Sequence, residues 1–268
     1  MNYISSSKNP LIKEVKSLKK RKCREDKNLF FVEGIKITEE ALKENAEIVR
    51  VLVSEEFVSK ENSAPLMRAI ESRGYKCFIL PEKLFKEISD TETPQGIMAV
   101  VRAKHSGINE IIHENSSLII LDAIQDPGNM GTIIRTADAA GFDGIIISRG
   151  CVDIYNPKVI RATMGSVFRV PFHFSENLAD TIRTLKSRDI RVVAAHLKGD
   201  KNYFELDMKG KIALVIGNEA SGISDEVTVL ADDLVLIPMA GRTESLNASV
   251  AAGLLMYEVL RQRWNKKF

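Results

Sequence analysis

Residues 121–142 read LDAIQDPGNMGTIIRTADAAGF, a strand end, a polar turn and a helical repeat in one stretch. Leu121 closes an apolar run that begins at 118, and Asp126-Pro127-Gly128-Asn129 has the chemistry of a turn. Beyond it Ile133, Ile134, Ala137 and Ala140 recur at helical spacing, with Gly141 placed to cap the helix. At about 100° per residue, Arg135 lies roughly 200° from Ile133, off that stripe, and faces something other than the core. Two readings stay open: an exposed surface arginine, or a cation held beside Asn129 at the carboxyl edge of a sheet.

The same strand-to-helix pattern extends in both directions. Apolar runs at 118–121, 144–147, 192–195, 212–216 and 234–237 alternate with helical segments, as parallel strands buried on both faces do. This half is expected to be an α/β domain that takes a nucleotide-type ligand at the carboxyl ends of its strands. Two further strand ends lead into polar turns. In LVIGNEASGIS, residues 214–224, Gly217 lets a ligand approach the backbone, and polar Asn218 and Glu219 follow; a tight turn, with Glu219 solvated or capping a helix at Ser224, is the plain alternative. Residues 237–263, IPMAGRTESLNASVAAGLLMYEVLRQR, join a strand end to a long helix. Its expected inward stripe is Leu246, Val250, Leu254, Tyr257 and Leu260, with Ser245 or Asn247 as the cap.

Upstream, the first ~100 residues mix helical patterns at 35–42 and 66–72 with β-like runs at 29–32, 50–53, 77–80 and 98–101, a small α/β module. A more polar stretch, 102–117, separates the halves, so the expected division is a domain over 1–105, a linker over 106–116 and a domain over 117–268. At 268 residues with 44% hydrophobic content the chain can bury a real core in either one or two domains.

Net charge is only +2, but eight cations against Glu14 lie between Lys8 and Arg24, so the remainder carries about -5. Leu11, Val15 and Leu18 recur at helical spacing, so one face of this segment can dock while lysines line the other. A solvated face is the plain reading of a charge run; Lys13, Lys16, Lys20 and Arg21 are the candidates for nucleic-acid phosphates. Cys23, Cys77 and Cys151, odd in number and without a CxxC pair, suggest neither a disulfide framework nor a metal site. No apolar stretch reaches the ~18 residues of a membrane span and the lysine-rich start lacks a signal core, so a cytoplasmic protein is expected.

Taken together, the three polar turns resemble the three motifs of the SpoU (TrmH-like) family of SPOUT RNA methyltransferases. Asn129-x-Gly131-x-x-x-Arg135-x-Ala137 matches the first, Gly217-Asn218-Glu219-x-x-Gly222 the second, and Ile237-Pro238-Met239 with Ser245-Leu246-Asn247-Ala248 the third. The stretch from Asn156-Pro157-Lys158 through Arg161-Ala162 to Gly165 is similar too, with Thr163 where many relatives carry serine. LFFVEG and TPQGIMAVV look like the family's N-terminal substrate-binding domain.

The resemblance implies a parallel sheet with a deep trefoil knot, a homodimer, and transfer of a methyl group from S-adenosyl-L-methionine to a ribose 2′-hydroxyl of RNA. Cofactor contacts would come from Gly217, Asn218, Ile237, Met239 and Leu246. Asn129, Arg135, Glu219, Ser245 and Asn247 would line the reaction centre, with Lys158 and Arg161 as further RNA-binding candidates beside it. Ribosomal RNA is favoured over transfer RNA because the N-terminal module resembles those of rRNA-directed members; whether the base is guanosine stays open. Rival readings are a tRNA methyltransferase, a non-catalytic RNA-binding protein of the same fold, and a small-molecule methyltransferase that would leave the basic segment without a purpose. Neither a GxGxG turn nor a GxxxxGK loop occurs, which argues against Rossmann-type and P-loop enzymes.

Overall fold

The computed structural model describes residues 2–264, so the last four residues of the expected second domain lie outside the described residues. Two compact units emerge: residues 1–103 with 155–168, and residues 104–154 with 169–268. The excursion at 155–168, contiguous in sequence with the second unit, packs in the first.

In the first unit, strands β1 (Asn2–Tyr3), β2 (Leu29–Glu33), β3 (Ile48–Ser54), β4 (Cys77–Leu80) and β5 (Ile97–Arg102) form a mixed sheet in the order β1-β4-β3-β5-β2. Tyr155 stacks on Phe30 of β2 at 4.4 Å between ring centroids, which anchors the excursion. The basic segment is not one helix: Pro10–Ser17 and Arg21–Lys27 are separate, joined by a turn. The buried stripe is Ile12, Val15 and Leu18, with Leu11 only partly covered. Arg24 leaves the cationic face altogether. It is 5% exposed, and its Nη1 donates to the carbonyls of Leu18 and Lys19 at 2.8 and 3.0 Å, closing the turn that ends the first helix.

The second unit carries a seven-stranded sheet built from β6 (Ser117–Asp122), β7 (Gly144–Ser148), β8 (Phe172–Ser175), β9 (Arg191–Ala195), β10 (Lys201–Asn202), β11 (Ile212–Gly217) and β12 (Asp233–Leu236). Its order is β10-β12-β9-β11-β6-β7-β8 and every pairing is parallel. Every residue of β6 and β7 is buried, as expected of strands covered on both faces. The sequence reading missed β8 and β10; one is short and interrupted by His173, the other has two residues.

Two helices flank the carboxyl edge. The stretch read as a turn at 126–129 is the first turn of the helix Pro127–Ala140: Asp126 is the N-cap, its Oδ1 accepting the N–H of Asn129 at 2.7 Å, and Pro127 occupies the position where a missing N–H costs nothing. Gly141, at φ 71°, ends it as expected. The C-terminal helix Ala248–Arg263 buries Ala252, Leu255, Met256 and Val259, not the expected stripe; Val250, Leu254 and Tyr257 are 50%, 37% and 50% exposed. The helix is apolar nearly all round, so periodicity could not select the inward face. Among the described residues no helix is long and apolar enough to cross a membrane.

Because the Arg24 guanidinium satisfies two carbonyls at a buried turn, Arg24→Met should destabilise the chain by about 1–3 kcal/mol, read as a lower midpoint in urea. A midpoint equal to wild type would show that water replaces those bonds without cost.

Candidate active site

The carboxyl ends of β9, β11 and β12 surround a cavity of about 390 Å³. Gly217, Asn218, Ile237, Met239 and Leu246 all line it, as do Glu219 and Ser245. Apolar Ile216, Val235 and Ile237 face a polar rim made by His196, Lys198 and the loop after β11. His196 lies in none of the three motifs, but because it follows a strand the sequence leaves it open as a base, and it lines this cavity at the end of β9.

Gly217 has a different reason from the one its neighbourhood in sequence suggests. A Cβ there would sit 2.3 Å from the Gly222 carbonyl carbon and the Ile223 nitrogen, so the glycine is required by closure of the loop on itself. The ring closes through reciprocal backbone bonds between Asn218 and Gly222, both 2.9 Å. The Asn218 side chain is committed to the same task. Its Oδ1 accepts the N–H groups of Ala220 and Ser221 at 2.9 and 3.1 Å, and its Nδ2 donates to the Ala123 carbonyl at 2.7 Å.

Asn129, Glu219 and Asn247 come together from three separate segments. Glu219 accepts the N–H groups of Gln125 and Asp126 at 3.2 and 3.1 Å and Asn129 Nδ2 at 3.0 Å. Asn129, 7% exposed, in turn accepts Asn247 Nδ2 on its Oδ1 at 2.8 Å. Asn247 caps the C-terminal helix, its Oδ1 accepting the N–H of Ser249 at 2.9 Å. All donors therefore point the same way, from a helix N-terminus through two amides to one carboxylate. Partial burial pushes the Glu219 carboxyl up, but the bonds from Asn129 and from the Gln125 and Asp126 backbone outweigh it and hold the pKa below the usual range. Glu219 is thus a stable anion with filled acceptor sites, suited to orienting Asn129 and poorly suited to taking a proton.

Arg135 is not drawn into this chain. It is exposed on the helix Pro127–Ala140 and its side chain forms no hydrogen bond or ion pair among the described residues. Ser245, on the exposed loop before the C-terminal helix, lines the cavity without joining the chain.

The basic candidates all belong to the first unit. Lys13 and Lys20 are exposed, Lys16 pairs with Glu87 at 2.7 Å, and Arg21 pairs with Glu25 at 2.7 Å. Lys158 is exposed near the start of the helix Pro157–Thr163, and Arg161 pairs with Asp90 at 2.7 Å. Lys158 and Arg161, expected beside the reaction centre, are packed with the first unit.

A doubly flanked parallel sheet with a cavity at its carboxyl edge and an Asn–Asn–Glu chain beside it is the architecture of a SPOUT-type methyltransferase. The model of the SpoU rRNA Methylase family matches residues 116–257, and that of the MRM3-like substrate binding domain matches residues 9–99. The chain belongs to the SpoU rRNA methylase family. The 23S rRNA (guanosine(2553)-2′-O)-methyltransferase RlmP of Bacillus subtilis (strain 168) is 35% identical over 259 residues, covering 97% of this chain and 99% of that protein. The crystal structure of an AdoMet-bound rRNA methyltransferase from Sinorhizobium meliloti matches with a TM-score of 0.88 and 33% identity, over 98% of this chain and 99% of that one. The SpoU methyltransferase AviRb from Streptomyces viridochromogenes, in complex with AdoMet, matches with a TM-score of 0.89 and 28% identity, over 97% and 100%.

Replacing Asn129 by Asp removes the donor to Glu219 and sets two carboxylates at hydrogen-bond distance. Methyl transfer by Asn129→Asp should fall by roughly 10²-fold or more, with the thermal midpoint lowered as well. Activity near wild type in a transfer assay would show that the polarity of the chain is irrelevant to the reaction.

Proposed function

We propose that this chain is an S-adenosyl-L-methionine-dependent RNA methyltransferase acting on a ribose 2′-hydroxyl of ribosomal RNA. The observation that carries this reading is the juxtaposition of the cavity with the oriented Asn247–Asn129–Glu219 chain, whose residues fall in all three family motifs. The cavity suits the cofactor: its volume of about 390 Å³ is that of a small-ligand pocket, and its apolar walls Ile216, Val235 and Ile237 can enclose a nucleoside. Gly217, Asn218, Ile237, Met239 and Leu246 would hold it. When bound, S-adenosylmethionine supplies a methyl group already activated on a sulfonium.

The protein must then align the acceptor oxygen and ease loss of its proton. Glu219 fixes Asn129, and Asn129 and Asn247 mark the edge where the ribose lies. Arg135 holds a phosphate of the RNA and stabilises the alkoxide as it develops. As a guanidinium it stays protonated, so its contribution is charge and donors, not proton abstraction. Ser245 lies on the cavity side of the same edge.

Residues 1–105 serve as the RNA-binding part and 117–268 as the catalytic domain, joined through 106–116; the trefoil knot of the family is assigned to the segments bearing the second and third motifs. RNA is gripped by Lys13, Lys16, Lys20, Arg21, Lys158 and Arg161. A guanosine acceptor in 23S rRNA follows the RlmP relative, and a ribosomal RNA substrate supports a cytoplasmic location. The active form is a homodimer, supported by the apolar stripe Val250, Leu254 and Tyr257 exposed along one helix.

Arg135→Ala should abolish methyl transfer to bulk RNA, by at least about 10²-fold, while the Kd for S-adenosylmethionine changes less than about threefold. Calorimetry with a tritium-transfer assay measures both; full activity would remove Arg135 from the reaction centre. For the basic segment, changing Lys13, Lys16, Lys20 and Arg21 to Gln should lower the slope of log K against log salt by roughly 0.7–0.9 for each phosphate no longer neutralised, equally for cognate and non-cognate RNA. Because Lys16 and Arg21 are already paired with Glu87 and Glu25, Lys13 and Lys20 should carry most of that change. Filter binding across a salt series that shows an unchanged slope would return these lysines to a solvated face.

A further inference from the structure

Asp122 lies in none of the three motifs, yet the residue is buried, 9% exposed, at the end of β6. Its Oδ2 accepts both the N–H of Ser224 at 2.9 Å and the Ser224 hydroxyl at 2.8 Å. Ser224 is the N-cap of the helix Asp225–Leu230, where a serine hydroxyl would ordinarily bond the helix's own backbone. No such bond forms; the hydroxyl reaches across to Asp122 instead. The next residue, Ala123, stands in the left-handed region at φ 56°, which costs a β-carbon-bearing residue about 1 kcal/mol or more. It is held there by its N–H on Ser148 Oγ at 2.9 Å and its carbonyl under Asn218 Nδ2 at 2.7 Å.

Consecutive residues of one strand end therefore grip both ends of the loop after β11: Ala123 takes its entry at Asn218 and Asp122 its exit at Ser224. Between those points, residues 218–223 form one wall of the cavity. Glu219 ties the middle of the loop to a different place, the first turn of the helix that bears Asn129.

We propose that Asp122 is a positioning residue for the methyl donor, acting through Ser224 to hold the cavity wall 218–223 in its binding shape. This rests on the reading of the cavity as the S-adenosylmethionine site. The two attachments divide the work. Asp122 and Ser224 set the seat of the cofactor, whereas Glu219 sets the edge that meets the ribose. Among the described residues Asp122 shares no bond with the Asn129 chain, and Glu219, though part of the wall, is tied separately to Gln125, Asp126 and Asn129, so loss of Asp122 acts on affinity and leaves the reacting geometry in place.

The test uses the full chain, calorimetry with S-adenosylmethionine, and steady-state methyl transfer. Ser224→Ala and Asp122→Asn should each raise the cofactor Kd and KM by roughly 10-fold, the scale of one missing charge-assisted bond, with kcat at saturating cofactor and RNA affinity each within about threefold of wild type. Ser224→Thr keeps both donors and should restore the affinity, which a general packing defect would not allow. The double variant should be no weaker than the worse single, because both remove one interaction. Should Asp122→Asn fail to fold, the Ser224→Ala and Ser224→Thr pair decides alone. Wild-type affinity in folded Ser224→Ala, or a loss confined to kcat, would overturn the assignment. A wild-type chain that binds no S-adenosylmethionine would instead overturn the functional reading, and this proposal with it.

Discussion

The carboxylate of Glu219 joins segments ninety or more residues apart, and the geometry of the site hangs on that junction. Three N–H donors converge on it from the first turn of one helix and the residues just before it. A second helix, Ala248–Arg263, reaches the same carboxylate through Asn247 and Asn129. Each helix presents its positive end toward this anion, so the macrodipoles and the hydrogen bonds reinforce one another. An apolar residue at 219 would leave those donors without their common acceptor. The lowered pKa of Glu219 is the same fact seen from the proton's side: the fold stabilises the anion. That stabilisation is present above the unfolded-state pKa and is lost as pH falls through the lower folded value, so it holds throughout the neutral range.

A parallel sheet supplies the setting. With β11 paired to β6 from Ile212↔Ser117 through Gly217↔Asp122, both strands end at the same level, and the loops that follow them must meet. The polar residues at those ends, Asp122, Asn218 and Glu219, are spent largely on backbone groups and on the side chains of Ser224 and Asn129. A cavity shaped by such saturated loops offers a ligand mainly apolar surface and fixed backbone. Rigidity of this kind reduces the ordering cost of binding, since the wall is already in place before the ligand arrives.

Much of this could be read from the sequence, and the gaps have physical causes. The five central apolar runs became β6, β7, β9, β11 and β12 because burial on both faces leaves a continuous apolar signature. The Asn129–Glu219–Asn247 grouping rested on family resemblance, since no local pattern reveals that residues ninety and more positions apart share hydrogen bonds. Asp122 and Ser224 were invisible for the same reason: an acid ending a strand and a serine starting a helix each have an ordinary local explanation. The inward stripe of the last helix was misassigned because Leu254 and Leu255, or Tyr257 and Met256, offer periodicity equally good choices. Arg24 was counted among solvated cations; nothing in a charge run distinguishes the one guanidinium that turns inward to cap carbonyls.

Arg135 shows how the fold keeps a charge available. Helical spacing offers it one acid, Asp138 three residues on, which would ordinarily pair with it on the helix surface. That carboxylate is taken by Arg169, at 2.9 Å from Nε. The cation is thereby left uncompensated on a helix whose first turn is bound to Glu219, and its five donors remain free of competition from neighbouring side chains. A surface ion pair would have been worth little to stability, so its absence costs the fold almost nothing. What the arrangement gains is an arginine carried on a rigid helix, its charge unspent, on the same element as Asn129.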